Sequence, residues 1–240
     1  MITERQRCGV ALDMKSKFES IVVAAVVACT VVTTGLVVRR EFFTPAATSA
    51  AAEQKPTMIP HWQNYLTTGD RIGPTQAKVK LIEFADFECP FCDSFHKSFK
   101  KVRGRYPNEV SLDYVHLPLP IHRFAIPAAR AAECANDQGR FEAMHDQLFE
   151  GQDQFGLKSW DDYATAAGVP DLVSFDACIR KSDSIPRVEE GKALGAKLDV
   201  QATPTIIING WKLGHPPSEQ ELDQMVQRIL AGKSPVDGKS

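Results

Sequence analysis

Hydrophobic and polar positions fall into three rhythms along the chain. The first is unbroken: Ile21 to Val38 (IVVAAVVACTVVTTGLVV) is 18 residues without a charge. As a helix it spans about 27 Å, close to the roughly 30 Å of a bilayer core. It is apolar all round, so it has no polar face to turn to water. Phe42 and Phe43 stand at its outer end. Residues 41–60 are then rich in Ala, Thr and Pro, the composition of a flexible tether. The second rhythm is that of strands. Lys78 to Phe84 (KVKLIEF) is nearly continuous in apolar residues, as a buried central strand should be, and Val110 to Leu117 alternates. The third is helical. Phe91, Phe95, Phe99 and Val102 recur at spacings of four, four and three between Pro90 and Tyr106. Pro90 suits a first helical turn, and Pro107 marks the end.

Strand, helix and strand in that order predict a parallel βαβ unit. His61 to Leu66 reads as a short helix or turn before it. From about residue 121 to 198 the pattern is helical and poor in strands. One helical stretch breaks around Gly139, a second starts at Ser159, a third runs from Asp171 to Lys181 and a fourth from Pro186 to Leu198. Thr205 to Ile208 and Trp211 to Leu213, joined by Asn209-Gly210, make a hairpin signal. Ser218 with Glu221 is a capping box for a last helix. The order β-α-β, helices, β-β-α predicts an α/β domain over residues 61–240. It is a thioredoxin fold with an α-helical insertion at about 121–198, preceded by a single N-terminal transmembrane helix.

Charge adds orientation. Arg5, Arg7, Lys15 and Lys17 precede the apolar run, and Arg39 and Arg40 follow it. The basic excess before the run predicts a single pass with the N-terminus inside. Residues 1–20 are then a cytoplasmic leader, 21–38 the anchor in the inner (cytoplasmic) membrane and 39–60 the tether. The domain stands in the periplasm or another extracytoplasmic space. The small-residue cluster Ala46 to Ala52 lies well beyond Val38, which favours an uncleaved signal-anchor over a cleaved signal. Met14, followed by Lys15 and Lys17, is an alternative start. The net charge of -2 lacks the basic surplus of a nucleic-acid binder.

The six cysteines divide by setting. Cys8 lies in the leader and Cys29 in the apolar run, while Cys89, Cys92, Cys134 and Cys178 lie in the domain. Cys89-Pro90-Phe91-Cys92 falls where strand gives way to helix. The first turn of a helix has unpaired N–H groups and positive partial charge, which stabilise a thiolate. Cys89 is the expected exposed nucleophile and Cys92, one turn inward, its resolving partner. Glu83, on the strand, would be a buried acid that exchanges a proton with Cys92, or else an edge residue in solvent. Glu88 is expected in solvent. Thr203-Pro204 precedes the hairpin strand and is the expected cis-proline. Cys134 and Cys178 fit a disulfide between two helices of the insertion, or two separate buried thiols. Zinc is the other chemistry open to a C-x-x-C, with His96, His116 or His122 as further ligands. No second C-x-x-C supports it, so no metal site is assigned.

These stretches resemble the DsbA-like branch of the thioredoxin superfamily over roughly Gly69 to Leu230. The carriers are GPTQAKVKLIEFADFECPFCDSFH, LPLPIHRFAIPAARAAECA and ATPTIIING. The resemblance implies disulfide exchange in exported polypeptides, typically oxidation, with Cys89 as nucleophile, Cys92 as resolving cysteine and Glu83 as the buried acid. Thr203 and Pro204 correspond to the cis-proline pair, and with Pro90 and Phe91 they are the candidate substrate contacts. No cofactor is implied beyond the Cys89–Cys92 disulfide, and the partners are cysteine-bearing exported chains and a membrane or thiol redox partner. One departure is the Pro-Phe dipeptide, which lacks the histidine that helps depress the nucleophile's pKa in the best-known oxidases. A reductase is therefore the alternative, and a non-catalytic membrane-anchored peptide-binding module is the rival from another class.

Overall fold

The computed structural model describes residues 55–236. The predicted anchor and most of the predicted tether lie outside them. Among the described residues, no helix is long and apolar enough to cross a membrane.

The strands are β1 (Thr57–Met58), β2 (Asp70–Ile72), β3 (Val79–Ala85), β4 (Val110–His116), β5 (Thr205–Ile208) and β6 (Trp211–Lys212). They form one sheet in the order β1-β6-β5-β3-β4-β2. β3 is central, parallel to β4 and antiparallel to β5, and Glu83 stands opposite Tyr114 on one side and Ile206 on the other. Strand side chains alternate between faces. Leu81 and Ala85 accordingly enter one apolar cluster, while Ile82 and Phe84 enter the other. Glu83 shares the parity of Leu81 and Ala85, whose cluster also holds Cys89 and Cys92.

Helix α1 (Pro90–Arg105) crosses from β3 to β4. The insertion carries α2 (Ala125–Asn136), α3 (Phe141–Glu150), α4 (Trp160–Ala166), α5 (Leu172–Ile179) and α6 (Pro186–Lys197), and α7 (Glu219–Leu230) closes the fold. Local signals place several ends. Ser159 caps α4 with Asp162, Asp171 caps α5, and Ser218 caps α7 with Glu221. Asn209 and Gly210 both take positive φ (43° and 88°), as a two-residue hairpin turn requires. α6 packs on β4 through Gly191, where a Cβ would stand 2.1 Å from the His116 carbonyl oxygen.

The structure differs from the sequence pattern at three points. The tether ends before residue 60, because Thr57 and Met58 pair with Lys212 and Trp211. That pairing runs through backbone groups and leaves no hydrophobic pattern. β2 has no counterpart in the sequence reading: it is three residues long and two of them, Asp70 and Arg71, are charged. β4 is buried along its whole length instead of alternating, since Val110, Leu112 and Tyr114 enter one apolar cluster, Val115 enters the other with Leu194 of α6, and Arg71 bonds Asp113 at 2.7 Å.

Candidate active site

Cys89 is the N-cap of α1, with φ -77° and ψ 121°. Its amide donates to the Asp86 carbonyl at 3.1 Å, and its own carbonyl accepts from Cys92 and Asp93 at 3.1 and 3.2 Å. This is the strand-to-helix junction expected from Pro90. Cys89 and Cys92 are both free thiols. Cys89 is only 3% exposed, which corrects the expectation of an open nucleophile. The Thr203–Pro204 peptide is cis, and the Thr203 carbonyl oxygen lies 3.5 Å from the Cys89 sulfur. That loop helps cover the sulfur, while Pro90 and Phe91 face solvent, Phe91 at 69%.

The two thiols are electrostatically unlike. Cys89 is lowered from 9.0 to about 5, chiefly by a hydrogen bond from the Cys92 thiol. Burial opposes this, and hydrogen bonds from the Cys92 and Phe91 amides add to it. Cys92 is pushed far up by burial, by its bond to Cys89 and by the nearby Glu83 charge. Glu83 is itself held well above the carboxylate range, first by burial and then by the Cys89 charge. It is 1% exposed, and its Oε1 has no hydrogen-bond partner. The opposing Tyr114 hydroxyl is likewise buried and unpartnered.

Some site residues carry no sequence signal. Gln152, after α3, donates from Nε2 to the carbonyls of Phe87 at 2.7 Å and Cys89 at 3.1 Å. Asp86 accepts from the amides of Glu88 at 2.8 Å and Leu119 at 2.7 Å, and contacts His122 Nδ1 at 2.7 Å. Glu88 is half-buried, and its carboxylate accepts from the Phe124 amide, so it is not the solvent residue expected. Residues 86–89 are thus tied to the insertion and its approach. The sequence could mark these groups only as polar residues in loops. Of the candidate zinc ligands, His116 meets Glu133 at 2.8 Å, His122 contacts Asp86, and His96 stands beside His145 and Asp146.

The thioredoxin family pattern matches residues 66–228, a span that includes both thiols and the cis-proline. The chain belongs to the thioredoxin family. Its C-x-x-C is intact at the head of α1. Its fold is shared with DsbA-like proteins. BdbD of Bacillus subtilis superposes with a TM-score of 0.62 at 22% identity, over 75% of this chain and 100% of that one. Alpha-DsbA1 of Wolbachia pipientis gives 0.58 at 20% identity, over 69% and 92%. The chain is also 37% identical over 141 residues to the Na(+)/H(+) antiporter NhaA 1 of Mycolicibacterium gilvum, covering 58% of this chain and 23% of that protein. The matched region is thus about a quarter of that relative's length.

In this thioredoxin-family domain Cys134 on α2 and Cys178 on α5 are joined by a disulfide with Cα atoms 5.8 Å apart. It links two helices of the insertion.

Proposed function

We propose that the protein is a membrane-anchored, extracytoplasmic dithiol oxidase that introduces disulfides into exported polypeptides. The observation that carries this reading is the opposite displacement of the two thiols, Cys89 down to about 5 and Cys92 far up. A thiolate stabilised at Cys89 favours the reduced pair and makes the Cys89–Cys92 disulfide a stronger oxidant. A substrate thiolate attacks the Cys89 sulfur, and the Cys89–Cys92 bond breaks with its electron pair leaving on Cys92. Glu83, whose raised pKa keeps a proton available, delivers that proton to Cys92. The second substrate thiolate then attacks the substrate sulfur of the mixed disulfide and expels Cys89 as thiolate. The substrate loses two electrons and the enzyme gains them, to be passed to a membrane or thiol partner. Thr203, Pro204, Pro90 and Phe91 are the substrate-facing residues. The apolar run 21–38 and the basic residues before it support the anchor, and the Cys134–Cys178 disulfide suits an oxidising compartment.

The test is the reduction potential of the Cys89–Cys92 pair, equilibrated against glutathione with Cys134–Cys178 mapped separately. An oxidase gives a value toward about -120 mV; a value toward about -270 mV means a reductase. The Pro-Phe dipeptide, without a histidine, favours that second reading.

A further inference from the structure

A separate cluster lies behind the catalytic helix. His96 on α1 and His145 on α3 meet edge to face, with ring centroids 5.1 Å apart. They are 3% and 1% exposed. His96 has no hydrogen-bond partner at either ring nitrogen, and His145 has none at Nε2. A buried polar atom left unpaired is costly. Three in one place need a cause. Asp146 stands beside them, its Oδ1 at 3.3 Å from His145 Nδ1 and 3.9 Å from His96 Nε2. The three residues offer ligand atoms that all lie within 4.8 Å of one another.

We propose that His96, His145 and Asp146 form a binding site for a divalent transition-metal ion, zinc foremost. Tetrahedral zinc with bonds of roughly 2.0–2.1 Å spaces its ligand atoms by about 3.4 Å. The distances of 3.3 and 3.9 Å to Asp146 Oδ1 stand close to that spacing. Two imidazoles and a carboxylate suit zinc and leave a fourth position for water. Lys100 bonds the other carboxylate oxygen, Oδ2, at 3.0 Å and so orients Oδ1. Glu150, at 2.5 Å from Lys100, offsets the charge that lysine would turn on a cation.

Asp70, His116 and Glu133 bring together similar donors, but apart from Asp70 Oδ2 those are already used. His116 Nε2 meets Glu133 at 2.8 Å, and Asp70 Oδ1 accepts from Asn136 at 2.7 Å. A metal there would displace hydrogen bonds of 2.7 and 2.8 Å, whereas at His96 it would supply a missing partner and at His145 it would replace only the longer 3.3 Å contact with Asp146. An ion held there joins α1, the helix that carries both thiols, to α3 of the insertion.

The test uses the full chain in detergent, with Cys89 and Cys92 oxidised to their disulfide and the remaining thiols alkylated. It is titrated with Co2+ and then with competing Zn2+. One Co2+ per chain should bind, with the visible bands of a tetrahedral ion, and Zn2+ should displace it. Asp146→Asn, at a partly exposed position, should weaken binding at least tenfold, and His145→Gln should abolish the bands. Asp70→Asn should leave them unchanged. Circular dichroism of each variant checks that it folds. The proposal is overturned if the oxidised chain binds no stoichiometric ion, if the bands survive both Asp146→Asn and His145→Gln, or if they vanish in Asp70→Asn. The readout involves no electron transfer, so it stands or falls apart from the oxidase reading.

Discussion

Acid should destabilise the reduced protein far more than the oxidised one. Cys89 has a value of about 5 when folded, against 9.0 for an ordinary cysteine. A depressed value stabilises the fold fully above the ordinary pKa, and that stability is lost as pH falls through about 5. At pH 7 thiolate exceeds thiol about a hundredfold in the folded chain, and thiol exceeds thiolate about a hundredfold in the unfolded one. The net gain at pH 7 is a factor of about a hundred, or about 3 kcal/mol. At pH 5 only a few tenths of a kcal/mol is left. In the disulfide form neither sulfur titrates. The same 3 kcal/mol therefore favours reduction at pH 7, equivalent to roughly 60 mV. Urea unfolding of both redox forms at pH 7 and pH 5 reads the effect, with ultraviolet thiolate absorbance as a direct titration. Buried carboxyls away from the thiols, such as Asp70, raised to about 7, titrate in both forms, so the difference between the forms reports Cys89 together with Glu83, which the Cys89 charge holds up. Relative to the oxidised form, the reduced form should lose about 2–3 kcal/mol on going to pH 5. A difference that stays constant would refute the reasoning.

Glu83→Gln should slow oxidation of a dithiol peptide by about a hundredfold or more, as loss of general acid catalysis does, while the Cys89 titration stays in place. An unchanged rate would remove Glu83 from the mechanism. Gln152→Ala leaves the Phe87 and Cys89 carbonyls without their side-chain donor, and should cost about 1–2 kcal/mol in urea unfolding. Cys134→Ala with Cys178→Ala opens a link across a sequence separation of 44. The chain-entropy argument puts the loss near 4 kcal/mol, readable as a lower urea midpoint with the Cys89–Cys92 potential unchanged.

What could be read from the sequence was what is written locally. β3 announces itself by a continuous apolar run, α1 by Phe95, Phe99 and Val102 on one buried face, and the hairpin by Asn209-Gly210. The caps at Ser159, Asp171 and Ser218 lie within three residues of the groups they bond. What escaped depends on partners distant in sequence. β1 exists because Thr57 finds Lys212. Gln152 reaches back 63 residues to the Cys89 carbonyl, and Glu88 turns inward because the Phe124 amide awaits it. Cys89 looked open because a helix N-terminus usually is, but the Thr203 carbonyl that stands over it comes from 114 residues away.

The missing histidine can be judged from the same geometry. The acidity of Cys89 is drawn first from the Cys92 thiol, with the Phe91 and Cys92 amides adding to it. Of the residue at position 91, only the backbone amide is used. The Phe91 ring is left exposed at the mouth of the site, a placement suited to an apolar stretch of substrate. A histidine there would bring a charge into solvent, where screening limits its pull on the sulfur. Phe91→His should therefore raise the reduction potential by clearly less than the roughly 60 mV contributed by the native arrangement at pH 7, and should raise KM for apolar peptides. A larger rise in potential would mean that the dipeptide governs the thiolate after all. The Pro-Phe pair would then mark a weak oxidant or a reductase.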